Sequence, residues 1–127
     1  MPHRIAIAQI NMHWTTSENV ASIRWAMDLA QSHGVHICGF SERAVTGFHR
    51  HIAREAVPEL VAPAIRELRA HGAKLSLGIA LGAPTFRDDG AIFISHLLLD
   101  ERGETQVVRH GRKSTSSRFA HSALVRR

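Results

Sequence analysis

The sequence holds a single cysteine, Cys38. A disulfide framework is therefore excluded, and a reducing compartment is the natural setting. No apolar run approaches the roughly 18 residues that a membrane-crossing helix needs. The apolar start, Ile5-Ala6-Ile7-Ala8, is too short for the core of a signal peptide. These absences read as a soluble, cytoplasmic chain with no membrane partner. Metal-ligand clusters are missing as well. The ten histidines are scattered. His49 and His51 stand two apart, but no Cys, Asp or third His nearby completes a four-ligand site. Neither a metal nor another cofactor is expected.

Excess charge is missing from most of the chain. Residues 1–100 hold nine Lys/Arg and nine Asp/Glu. The net charge of +5 sits wholly in residues 101–127, with seven basic and two acidic side chains. A basic end attracts phosphate, but charge alone gives only non-specific affinity. Aromatic interleaving there amounts to Phe119. Specific nucleic-acid binding is not expected.

What is present suits one globular domain. At 127 residues, 44% hydrophobic and 21% charged, the chain can form a core. A domain of this size buries roughly two-thirds of its unfolded surface.

Arg4 to Ile10 reads as a first strand, with Ile5, Ile7 and small alanines suited to a buried sheet position. Thr15 and Glu18 have capping-box spacing, so a helix starts there. Val20, Ile23, Met27 and Ala30 share one face of it, and Gly34 stops it. Trp25 and Met27 read as packing residues rather than a cofactor site. Val35 to Phe40 is a second strand, which makes a parallel βαβ unit with a right-handed crossover. A loop over 48–57 carries His49 and His51. A second helix is expected over Glu59–His71, with Leu60, Val61, Ile65 and Leu68 on one side and Gly72 as its stop. Pro58 suits its first turn, although Pro63 leaves its start open. Ala73 to Ala83 alternates as a third strand. A turn over 84–90, a fourth strand over 91–99, a hairpin with Gly103 and a fifth strand from Gln106 follow.

The stretch Val35-His36-Ile37-Cys38-Gly39-Phe40-Ser41-Glu42 concentrates the chemistry. It places a carboxylate, Glu42, where the second strand ends. Ligands gather at the carboxyl ends of strands in open α/β sheets. Glu42 is thus a candidate for acid–base work, although local pattern alone favours a solvated Glu in a turn.

The order of these elements resembles the carbon–nitrogen hydrolase (nitrilase/amidase) superfamily. Arg4-Ile-Ala-Ile-Ala-Gln9 is similar to that family's opening strand, and Asn19 to the Asn early in its first helix. Gly34 through Glu42 resembles its strand ending in Phe-Pro-Glu, with Ser41 in place of Pro. Thr46-Gly47-Phe48 is similar to the Thr-Gly-aromatic that follows. Asp89-Gly90-Ala-Ile-Phe93, Asp100 to Gly103 and Arg112-Lys113 resemble its hairpin ending in Arg-Lys.

The resemblance implies an α/β fold: the first half of a nitrilase-like α-β-β-α sandwich, with about two main helices and five strands. It implies a partial hydrolase domain over 1–113 and a basic, poorly ordered tail over 114–127. The family's chemistry joins a Glu base, a Lys cation and a Cys nucleophile on small-molecule amides or nitriles. By resemblance, Glu42 is the base and Lys113 the cation. The family's nucleophile follows the Lys by a few dozen residues, and no Cys follows Lys113 here. Cys38 precedes Glu42 inside a strand and reads as an inert core thiol. The expectation is a truncated hydrolase, inactive alone. With half a sandwich the sheet edges and one apolar face stay uncovered, which favours homo-oligomers or aggregation. The alternatives are a non-catalytic module that pairs with another chain, and a weak nucleic-acid binder acting through the tail.

Overall fold

The computed structural model describes residues 3–113, with side chains through Val107. Expectations for 114–127 lie outside the described residues. The elements run β1 (Ile5–Ile7), α1 (Thr16–Ser32), β2 (Ile37–Gly39), α2 (Ile52–Glu55), α3 (Pro58–Leu75), β3 (Gly78–Phe86), β4 (Ile92–Leu99) and β5 (Thr105–Lys113). The strands form one sheet in chain order. β1, β2 and β3 are parallel; β3, β4 and β5 are antiparallel neighbours. Two long helices and five strands thus match the α/β expectation.

α1 forms where its cap predicts. The Glu18 N–H donates to Thr15 Oγ1 at 3.1 Å, and the Thr15 hydroxyl donates to the Glu18 carboxylate at 2.9 Å. A second carboxylate reaches the same helix end, as the Thr16 N–H donates to Glu55 Oε1 at 2.6 Å. Negative charge at a helix N-terminus meets unpaired N–H groups and the positive end of the dipole. Glu55 belongs to α2, a short helix in the segment expected to be a plain loop. Gly34, at φ +72°, follows the helix as expected.

α3 departs from its expected end. Gly72 does not stop it: the helix continues to Leu75 and is capped by Ser76 in the left-handed region at φ 53°. The Leu77 N–H donates to the Gly72 carbonyl at 2.9 Å and closes the cap. Gly72 is buried, and a Cβ there would lie 3.0 Å from the Leu77 carbonyl oxygen. Its smallness serves packing rather than termination. The third strand accordingly starts at Gly78, not Ala73, and runs through Pro84 to Phe86. Pro58 takes the first turn of α3, and Pro63 lies inside it. Leu60 is exposed, so the buried side of α3 is Val61, Ala64 and Leu68.

Two successive right-handed crossovers stepping the same way put α1 and α3 on one sheet face. The core forms there, from Ile23, Met27, Val61 and Leu68 of the helices against Cys38, Ile79, Leu81, Leu97 and Leu99 of the sheet. On the opposite face, apolar side chains are exposed among the described residues. Ile5 and Ile7 are 67% and 75% exposed, and Ile37 and Leu98 are 45% and 43% exposed. The expected burial of Ile5 and Ile7 is therefore wrong. β1 is an edge strand, and its outward side meets no second layer of described residues. Ala6, in between, packs against the core.

Candidate active site

Glu42 opens the turn that follows β2. Phe40 still belongs to the sheet, donating its N–H to the Ala80 carbonyl at 2.8 Å. The chain then folds over β3. The Val45 N–H donates to the Gly82 carbonyl at 3.2 Å, and the Gly47 N–H to the Arg43 carbonyl at 2.7 Å. Gly82 is what lets this turn sit down. A Cβ at Gly82 would overlap the Glu42 and Ser41 carbonyl groups. Glu42 itself is exposed, while Val45 and Thr46 beneath it are buried.

The loop after β1 supplies the facing wall. Buried Asn19 holds it, accepting the His13 N–H at 2.8 Å and donating to the His13 carbonyl at 3.3 Å. Gly47, at φ +75°, packs so close that a Cβ would lie 2.7 Å from Met12 Cγ and 2.9 Å from the His13 carbonyl oxygen. The Phe48 N–H points at Met12 Sδ, 2.8 Å away. Thr-Gly-aromatic is thus a structural unit: the glycine permits the approach, and the aromatic emerges beside Glu42. Between these segments lies a cavity of about 290 Å³, lined by Asn11, Met12, Ser41, Glu42, Arg43 and Phe48 among others.

Lys113 ends β5, opposite Ile92. β5 runs in the same direction as β3, so Lys113 and Glu42 stand at one end of the sheet, the carboxyl end of the parallel strands. Ile92, the backbone partner of Lys113, lines a second small space together with Glu42, Thr46 and Pro84. The sequence-derived pair is therefore brought to the same end of the same sheet. The Lys113 side chain lies outside the described ones.

Cys38 is elsewhere. It is 1% exposed and faces the helices in the core cluster. Burial pushes its thiol pKa up, which keeps it protonated and unreactive. Among the described residues no group of three or more His, Cys, Asp or Glu could hold a metal ion. His49 and His51 instead flank the Trp14 ring, with centroids 4.9 and 5.4 Å away. No helix among the described residues is long and apolar enough to cross a membrane.

Three residues of the site escaped the sequence reading. Gly82 and Met12 act through contacts across some 35 residues or more of chain. Arg43 had a visible signal, a cation immediately after the strand-end Glu. It is half-buried, and its guanidinium carbon sits 4.3 Å from the Phe48 ring centroid.

Solved structures with this fold include an amidase. The NitN amidase from Nesterenkonia sp. AN1 superposes with a TM-score of 0.78 at 21% identity, over 91% of this chain and 46% of its own. A variant of that amidase showing Michael addition of acrylamide at its active-site cysteine gives 0.80 at 20% identity, over 98% and 49%. Another, in complex with butyramide, gives 0.79 at 21% identity, over 97% and 48%. The chain thus spans about half the length of these structures. The comparison with curated proteins gave no match. The carbon–nitrogen hydrolase profile matches residues 4–125, and the chain belongs to the carbon–nitrogen hydrolase family.

Proposed function

We propose that these residues form the base-bearing half of an amidase-type hydrolase acting on carbon–nitrogen bonds of small-molecule amides. The observation that carries the reading is the placement of Glu42 and Lys113 at the carboxyl end of one sheet, with Glu42 at the edge of a small cavity.

Glu42 is the general base. A carboxylate at a cavity wall can take a proton from a thiol, then from water. Lys113 is the cation that stabilises negative charge developing on the substrate oxygen. The nucleophile is a thiol from outside these 127 residues, since Cys38 is buried with its pKa raised. The neighbours' active-site cysteine and amide ligands support this division of labour. The chain by itself is inactive, and it works in the cytoplasm, where a lone thiol stays reduced. The bare sheet face of Ile5, Ile7, Ile37 and Leu98 is an association surface, through which the isolated chain forms homo-oligomers.

Ammonia release from butyramide tests the reading. The 127-residue chain releases none above background. Extended by a segment that supplies the nucleophilic cysteine, it turns over. Glu42→Gln and Lys113→Met then each lower the rate by at least about 10²-fold. Turnover that survives Glu42→Gln overturns the assignment.

A further inference from the structure

The sheet face away from the helices has a ridge and a slot side by side. Side chains alternate along a strand, so Ile5 and Ile7 of β1 stand on this face with Ile37 of β2 and Leu98 of β4. Ile5, Ile37 and Gly78 pair in one row, and Ile7, Gly39 and Ala80 in the next. β3 therefore puts only small residues, Gly78 and Ala80, between Ile37 and Leu98. The result is a cavity of about 510 Å³ whose floor includes Gly78 and whose walls are Ile37 and Leu98. At the carboxyl end of β3 the slot stops at the Glu42 turn, which rests on Gly82, the next residue of β3 on this face. At the other end it stops at the hairpin loop, where Asp100, Glu101 and Glu104 line it. The slot is two residues long, and the ridge beside it presents two side chains.

We infer that two copies of this chain pack face to face about a two-fold axis running along β2, with Ile5 and Ile7 of each protomer seated over Gly78 and Ala80 of the other. β1 and β3 flank β2 in the sheet, so rotation about that axis exchanges them and keeps the rows in register. Ridge and slot on one patch are thereby self-complementary, and the contact closes on itself as a dimer. Large side chains over small ones suit two sheets about 10 Å apart. The same rotation brings Arg4, exposed and next to Ile5, toward the hairpin loop of the other protomer, because Asp100 follows Leu99, which pairs beside Gly78. A cation then meets carboxylates on both sides of the axis. The inference rests on the homo-oligomers proposed above and names their geometry: a closed pair rather than an open series.

Sedimentation equilibrium of the 127-residue chain tests this. The unaltered chain is expected to fit monomer and dimer alone. Ile5→Ala removes a knob at an exposed position, and Gly78→Val fills the slot. Each is expected to raise the dimer dissociation constant at least about tenfold. Gly78→Ala is expected to weaken the dimer in the same direction without disturbing the protomer. A Cβ there would lie 3.5 Å from Ile37 Cγ1 and 3.6 Å from the His36 and Leu99 carbonyl oxygens, which are ordinary contacts. The double variant Ile5→Ala/Gly78→Val trades the large and small partners and is expected to dimerise more tightly than Gly78→Val alone. Circular dichroism shows that each variant is folded. Open-ended association overturns the two-fold pairing and leaves the broader association reading standing. A dimer indifferent to Ile5→Ala and to both Gly78 variants is built on another surface, and also overturns it. A monomer at every concentration up to about 1 mM overturns both, and reserves the face for another segment or partner.

Discussion

At the scale of single residues, smallness and burial decide more than charge. Gly82 carries no side chain, yet the turn bearing Glu42 rests on it. Gly82→Ala forces that turn away from β3. It is expected to cost about 2 kcal/mol or more, because backbone rather than a flexible side chain must move. Chemical denaturation measures this, and an unchanged midpoint would mean that the turn does not need the contact. Cys38 gives the converse case. A thiol with its folded pKa raised by burial stays protonated where the unfolded chain's thiol ionises. The unfolded state then binds fewer protons, so stability is full below the unfolded value of roughly 8.5 and falls as pH rises toward the folded one. Urea unfolding between pH 8 and 10 should show this fall for the natural chain, and a smaller one for Cys38→Ala. Ellman's reagent should leave Cys38 untouched until the chain unfolds.

Elements were legible where their signals are local. Thr15, Glu18 and the Val20-Ile23-Met27-Ala30 stripe specify α1, and the structure bears each of them out. The position of Glu42 just after β2 was visible too, since a charged residue ending an apolar strand is a local pattern. Signals that depend on distant partners misled. Gly72 resembles a helix stop, but its role is to admit the Leu77 carbonyl, and the left-handed turn is made by Ser76 instead. Ile5 and Ile7 resemble a strand buried on both faces, because periodicity cannot show that one face has no neighbour. Gly82 and Met12 were illegible because their contacts are made far along the chain. The caps give two measurable expectations. Thr15→Ala removes the α1 cap and should cost about 1 kcal/mol. Ser76→Gly should stabilise α3 by about 1 kcal/mol, since glycine adopts φ near +53° without the Cβ penalty. Thermal unfolding checks both, and a destabilising Ser76→Gly would contradict the cap assignment.

At the scale of the whole molecule, the sheet face whose apolar side chains are exposed among the described residues sets the behaviour. Fully covering a side chain such as Ile5 or Ile7 is worth roughly 1.5–3 kcal/mol. Four exposed apolar side chains on one face, Ile5, Ile7, Ile37 and Leu98, therefore favour association. Sedimentation velocity should show concentration-dependent oligomers, shifted toward monomer by Ile7→Lys. A monomer at every concentration would contradict the proposed use of that face. Half the length of the amidase structures, a bare sheet face and a candidate base and cation without an accessible thiol all describe one situation. On the proposed function, Glu42 and Lys113 are the base and the cation of a hydrolase site, and a thiol from another segment is its nucleophile. The most direct measurement is the nucleotide sequence downstream of the Arg127 codon, read in all three frames. The account predicts a family-type strand followed by a cysteine within a few dozen codons of Lys113. A downstream sequence with no such cysteine in any frame would contradict it.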